Sequence, residues 1–135
     1  MNSSHVGRVA MNINLWASLG YGLTLLLTPE LFCELLDAEK VNTAWLRTIG
    51  AALLGTNVIG SWLWIKSPSM DMGRVQFATV TLEAFAMAGS LVLDEFTANN
   101  IWMVQASVVL AFVVAIALAP TTRLEMYQTV KEADN

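Results

Sequence analysis

Long apolar runs separated by short polar ones dominate the chain. Val9 to Leu27 contains no charge, and Trp45 to Ile65 carries only Arg47 near its start. Val75 to Leu93 holds Glu83, and Ile101 to Ala119 is again uncharged and stops at Pro120. A helix crossing about 30 Å of hydrocarbon at about 1.5 Å per residue needs about 20 mostly apolar residues. The pattern therefore predicts an all-α membrane protein, a four-transmembrane-helix bundle with spans at 9–27, 45–65, 75–93 and 101–119. All of residues 1–135 belong to one integral membrane domain, and the first span reads as a retained helix. The third span carries the cost of its carboxylate, about 2.5–3.5 kcal/mol if glutamate behaves as aspartate does. Its Val, Leu and Phe residues return about 0.3–0.6 kcal/mol each, so it inserts with the help of neighbours.

Thr28-Pro29-Glu30-Leu31-Phe32-Cys33-Glu34-Leu35-Leu36-Asp37 joins the first two spans. Thr28 is a capping residue type, Pro29 suits a first helical position and Glu30 complements the helix dipole. Leu31, Phe32, Leu35 and Leu36 fall opposite Glu30, Glu34 and Asp37, which predicts a short interfacial helix over 29–37. After Pro120, Thr121 or Thr122 begins a second short helix through Leu124, Tyr127 and Val130.

Charge sets the orientation. Arg8, Lys66, Arg74, Arg123 and Lys131 share one side, whereas the other side has Lys40 and Arg47. The positive-inside rule places both termini in the cytoplasm. Trp45 and Trp102 then mark the outer boundary, Trp62 and Trp64 the inner one, and Trp16 packs within the bundle. The composition agrees: 56% of residues are hydrophobic and 13% charged, with a mean hydropathy of +0.56. Seven basic residues face eleven acidic ones with no basic run, so no nucleic-acid partner is expected. Glu30, Glu34, Asp37, Glu39, Asp94 and Glu95 read as a solvated acidic outer face.

Membrane helices associate through close packing and hydrogen bonds, because lipid tails are as apolar as leucine. Rows of small residues invite that packing: Ser107, Ala111, Ala115 and Ala119 in the fourth span, and Ser18 with Gly22 in the first. The second span offers Ala52, Thr56 and Gly60, flanked by Ala51 and Gly55. These rows are expected to face the bundle interior or a partner.

The candidate chemistry is a polar layer. Counted in helical rises, Glu83 and Asn57 each lie about 12 Å from the cytoplasmic ends of their spans, and Ser18 about 13.5 Å. Gln76, Thr79 and Glu83 share a helix face, with Asn14 one turn nearer the cytoplasm. On one reading, Glu83 lines a cavity and binds a proton, a cation or a polar ligand group, as intramembrane ionisable residues often do. On the other, it is a protonated structural partner of Asn57 that fixes helix register. Arg47 lies only about 3 Å inside its span and reads as an anchor between the interfacial helix and the bundle.

No catalytic residue and no metal site emerges. His5 and Cys33 are each alone, and neither a phosphate loop, a paired-histidine motif nor a nucleophile elbow is present. The cofactor is left unknown. Leu27-Thr28-Pro29-Glu30-Leu31-Phe32 and Ala44-Trp45-Leu46-Arg47-Thr48-Ile49-Gly50-Ala51-Ala52-Leu53-Leu54-Gly55 resemble small DoxX-like four-helix bacterial membrane proteins over about residues 20–65. The resemblance implies the same architecture and a bacterial inner membrane; some members of that group are linked to quinone or redox complexes. The expected function is non-catalytic: an accessory subunit or partner-binding module, touching the lipid bilayer and other membrane subunits or itself. The alternative is a small carrier or binding protein for a lipid-like ligand, quinone, proton or cation that uses the intramembrane carboxylate.

Overall fold

A computed structural model describes residues 3–37, 43–93, 99–124 and 126–127. Lys40, Glu39, Asp94, Glu95, Val130 and Lys131 lie outside the described residues, together with the roles expected of them. Nearly all of what is described is helical: α1 Ser3–Leu27, α2 Pro29–Leu36, α3 Thr43–Leu53, α4 Ile59–Lys66, α5 Met70–Val92 and α6 Ile101–Leu118. A π turn, Leu54–Val58, joins α3 to α4, and a 3-10 turn, Ala119–Thr122, follows α6.

Four segments are long and apolar enough to cross a membrane: His5–Leu27, Thr43–Lys66, Met70–Val92 and Ile101–Thr122. The predicted spans and the short helix between the first two are therefore present. α1 and α5 begin several residues before their apolar runs. For α5 the reason is local: Ser69 Oγ accepts from the Met72 backbone N–H at 3.4 Å, and Asp71 sits in the first turn, where the helix dipole favours an acid.

The start of α1 and residues Thr121, Met126 and Tyr127 lie at one end of the bundle, called here the near end; α2 lies at the far end. α1 is central. It packs along α3, the π turn and α4 on one side and against α6 on the other. α5 packs along α6 and meets the second span at the π turn and α4, but α3 and α5 share almost no close approach. The second and third spans are thus pinned together near their connecting loop and part toward the far end.

The α1–α3 contact explains why the first two spans stay joined there. A Cβ on Gly50 would lie 2.7 Å from both Gly22 O and Leu26 N, so the two backbones touch and only glycine fits. The buried row of the second span is Gly50, Asn57, Gly60, Ser61 and Trp64. Of the row Ala52, Thr56 and Gly60, expected to face the interior or a partner, only Gly60 faces the interior. Ala51, Ala52, Gly55 and Thr56 face outward, because the π turn shifts the helical phase between α3 and α4.

Two tryptophans also depart from expectation. Trp16 is 66% exposed: the inward stripe of α1 runs through Met11, Asn14, Ser18 and Leu25, and two residues from Asn14 is the opposite face. Trp64 is 1% exposed, packed in the core with Met11, Leu118 and Met126, rather than marking a boundary. Trp62 does remain outside, with Lys66 Nζ 4.1 Å above its ring.

At the far end, Pro29 starts α2 as expected, but Thr28 does not cap it; its hydroxyl turns back to Thr24 O at 3.3 Å. Leu31 and Leu35 stay exposed while Pro29 and Cys33 are buried, leaving an apolar strip outward. The C-terminus of α2 is satisfied from α6: Asn100 donates to Leu35 O at 2.9 Å, and Asn99 donates to Asp37 Oδ2 at 2.8 Å. Arg47 and Glu30 lie 3.9 Å apart with both side chains half exposed, a weak tie between α3 and α2.

After α6 the near end is closed by described residues between Thr121 and Tyr127. Leu124 is exposed, whereas Thr121 and Met126 are buried and Tyr127 is half-buried.

Candidate polar site within the bundle

Asn14, Ser18, Asn57, Gln76 and Glu83 come together as two linked groups. In the first, Asn14 Nδ2 donates to Ser61 Oγ at 3.0 Å and to Gln76 Oε1 at 3.1 Å. Ser61 Oγ also lies 3.3 Å from Gln76 Oε1, and Ser18 Oγ lies 3.5 Å from Asn14 Oδ1. Gln76 Nε2 donates to the Thr56 carbonyl at 3.0 Å. Every one of these side chains except Thr56 is buried. Gln76 reaches so far because Gly60 lies directly beneath its amide, where any Cβ would collide.

The second group is smaller. Asn57 Nδ2 donates to Glu83 Oε2 at 2.8 Å, and Thr56 Oγ1 lies 3.0 Å from Asn57 Oδ1. Thr56 belongs to both groups, its hydroxyl to one and its carbonyl to the other. The π turn makes that possible. Ile59 N–H reaches back to Leu54 O, five residues away, and the widened turn sets Asn57 inward while Thr56 stays at the surface.

The two groups differ in burial. Asn57 is 1% exposed, but Glu83 is only half-buried, and its neighbours Leu82, Phe85 and Ala86 face outward. Glu83 Oε1 has no hydrogen-bond partner among the described residues. The residue lies about 3 Å past the middle of α5, where the second and third spans begin to part. The site is therefore a carboxyl group at mid-span, held by one amide and open on its other side.

Thr79 is half-buried on α5 and joins none of these bonds. Arg47 is at the far end and does not approach Glu83, being held near Glu30. Ser61 and Thr56 were not anticipated. Both are common packing residues in membrane helices, and only the phase of the π turn brings one inward and leaves the other as a joint.

A second polar cluster at the near end also went unanticipated. Trp64 Nε1 donates to Tyr127 OH at 3.0 Å, and that hydroxyl faces Thr121 O at 2.7 Å and Ser69 O at 3.0 Å. Thr121 Oγ1 lies 2.7 Å from Leu118 O and 3.3 Å from Gly73 O. Burial pushes the Tyr127 phenol above the ordinary tyrosine value, with the Trp64 N–H drawing it back in part.

These features define an α-helical integral membrane bundle with an intramembrane carboxyl group. Compared with known proteins, the chain matches no family model, and no curated protein or solved structure is significantly similar to it.

Proposed function

We propose that the protein is a non-catalytic membrane module that binds a partner within the bilayer, as an accessory subunit of a larger assembly. The observation that carries this reading is half-buried Glu83 at mid-span, at the level where the second and third spans part, with Oε1 unpartnered among the described residues. Polar groups in hydrocarbon demand partners, and every other side chain of the internal network has found one inside the bundle. Ala51, Ala52, Gly55 and Thr56 add support, because they leave a smooth outward strip where a Cβ on Gly55 would meet nothing within 4 Å.

The protein sits in this reading in a bacterial inner membrane with the near end cytoplasmic. Arg8, Lys66, Arg74 and Arg123 cluster there, while Arg47 at the far end is offset by Glu30. The DoxX-like likeness belongs to the same reading: its Pro29, Arg47 and Gly50 form the joint of α1, α2 and α3.

The test is the native mass of the protein extracted from its own membrane in mild detergent. An assembly larger than the monomer is expected, and Gly55→Leu, which fills the outward strip without touching the network, should dissociate it. A monomer in both cases overturns the proposal. The second reading, a binding protein for a lipophilic cation or a quinone, draws on the same half-open position of Glu83. Saturable ligand binding by a monomer, abolished in Glu83→Gln, would favour it.

A further inference from the structure

We infer that the occupant of the parting beside Glu83 is a transmembrane helix of a different protein, carrying a basic side chain at the depth of that carboxyl. This deepens the partner-binding reading and rests on it. The chain's described basic residues, Arg8, Arg47, Lys66, Arg74 and Arg123, all lie near span ends or outside the spans. Arg47 is engaged with Glu30, and Lys66 lies over the Trp62 ring. Among the described residues no cation is placed to meet Glu83, whose single bond comes from a neutral amide.

Charge complementarity then separates the possible occupants. The described residues of a second copy bring no basic side chain to mid-span, and a two-fold contact through this face would set one Glu83 against the other. A phospholipid headgroup is held at the interface; Glu83 lies about 13.5 Å along α5 from Val92 and farther from Met70. A helix, by contrast, delivers a side chain to any depth, and ionisable residues inside membranes characteristically pair with one another. The outward strip adjoins the carboxyl through Thr56, whose hydroxyl lies 3.0 Å from Asn57 Oδ1. Small residues there let a second backbone come close enough for a lysine or arginine to reach Glu83 Oε1.

The experiment places the full chain, dye-labelled at its amino terminus, in phosphatidylcholine vesicles with three synthetic helices of about 21 residues. One is all leucine between flanking lysines, the second adds two glycines four residues apart, and the third adds a central lysine to the second. Energy transfer reports association. The glycine helix should associate more than the leucine helix, and the lysine helix about tenfold more tightly again. Glu83→Gln should abolish the lysine gain alone, since glutamine still accepts from Asn57, and Glu83→Asp should retain part of it. Gly55→Leu should weaken both glycine-bearing helices.

If lysine adds nothing, or adds as much in Glu83→Gln, the inference is overturned while the partner-binding reading survives on the glycine helix. If neither helix exceeds leucine, both fall. Self-association that depends on Glu83 overturns the inference in favour of a second copy. Saturable, Glu83-dependent binding of tetraphenylphosphonium without helix association overturns it in favour of a lipophilic cation.

Discussion

The near half of this bundle joins its polar groups in buried networks, whereas the far half leaves them as exposed, isolated pairs. In the near half Asn14, Ser61, Gln76, Trp64, Thr121 and Tyr127 all bond to one another or to backbone carbonyls, and the C-terminal segment closes over them. In the far half the helices hold together by backbone contact at Gly22 and Gly50 and by separate exposed polar pairs, Asn99 with Asp37, Asn100 with Leu35 O and Tyr21 with Ser107, and the third span leaves the second. Glu83 stands at the border with one bond made and one oxygen free. A saturated polar network in a dry interior confers rigidity, whereas a carboxyl with spare bonding capacity is a place to receive something. On the proposed reading, stability and recognition fall to different halves.

The largest effect should come from the saturated side. Gln76→Leu removes the partner of Asn14, Ser61 and the Thr56 carbonyl together, and should cost about 2–4 kcal/mol in denaturation from mild detergent. A loss below about 1 kcal/mol would mean that the network does not hold the near half. Next come two glycines of the second span that differ only in what they face. Gly50→Ala should cost about 1–3 kcal/mol, because its methyl strikes the α1 backbone. Gly55→Ala should be neutral or stabilising by up to about 1 kcal/mol, since alanine favours the helix and the space is open. Equal effects at the two positions would break the contrast.

Tyr127→Phe should cost about 1–2 kcal/mol by leaving the Trp64 N–H and two carbonyls short of a partner. It should also change the response to alkali. Burial raises the phenol in the folded chain, so the unfolded chain gives up that proton first. The contribution is whole below about pH 10 and is lost as pH climbs through the raised folded value. Thermal midpoints of the native protein should therefore fall more steeply above pH 10 than those of Tyr127→Phe; parallel curves would remove Tyr127 from the closure. The smallest effect belongs to Glu83→Gln, expected within about 1 kcal/mol of the native protein, because the Asn57 bond survives in amide form. A large loss there would make Glu83 a structural member of the network.

Much of this was legible because apolar length and helical rise are simple measures. Counting depth brought Glu83 and Asn57 to one level, and they do bond; spacing on α5 put Gln76 on the same face as Glu83. What escaped had no local signature. The π turn is made of Leu54, Gly55, Thr56, Asn57 and Val58, ordinary residues in a membrane helix, yet it decides which side of the second span faces inward. Trp64 looks like any boundary tryptophan until Tyr127, 63 positions on, supplies its acceptor. Trp16 was misplaced because only the phase of the whole α1 stripe, not its own neighbours, directs it outward.

The widened turn has one more consequence. A π turn takes up one residue more than an α turn, so deleting one codon between Leu54 and Val58 would close it to an ordinary helical turn and leave Gly50 against Gly22 with Ser61 and Trp64 in place. The same deletion inside α3 or α4 meets no such slack: each residue of an α-helix advances the side-chain direction by about 100°, and everything on one side of the cut would turn by that angle. The second span can lose a residue without re-aiming either part only where it is already widened.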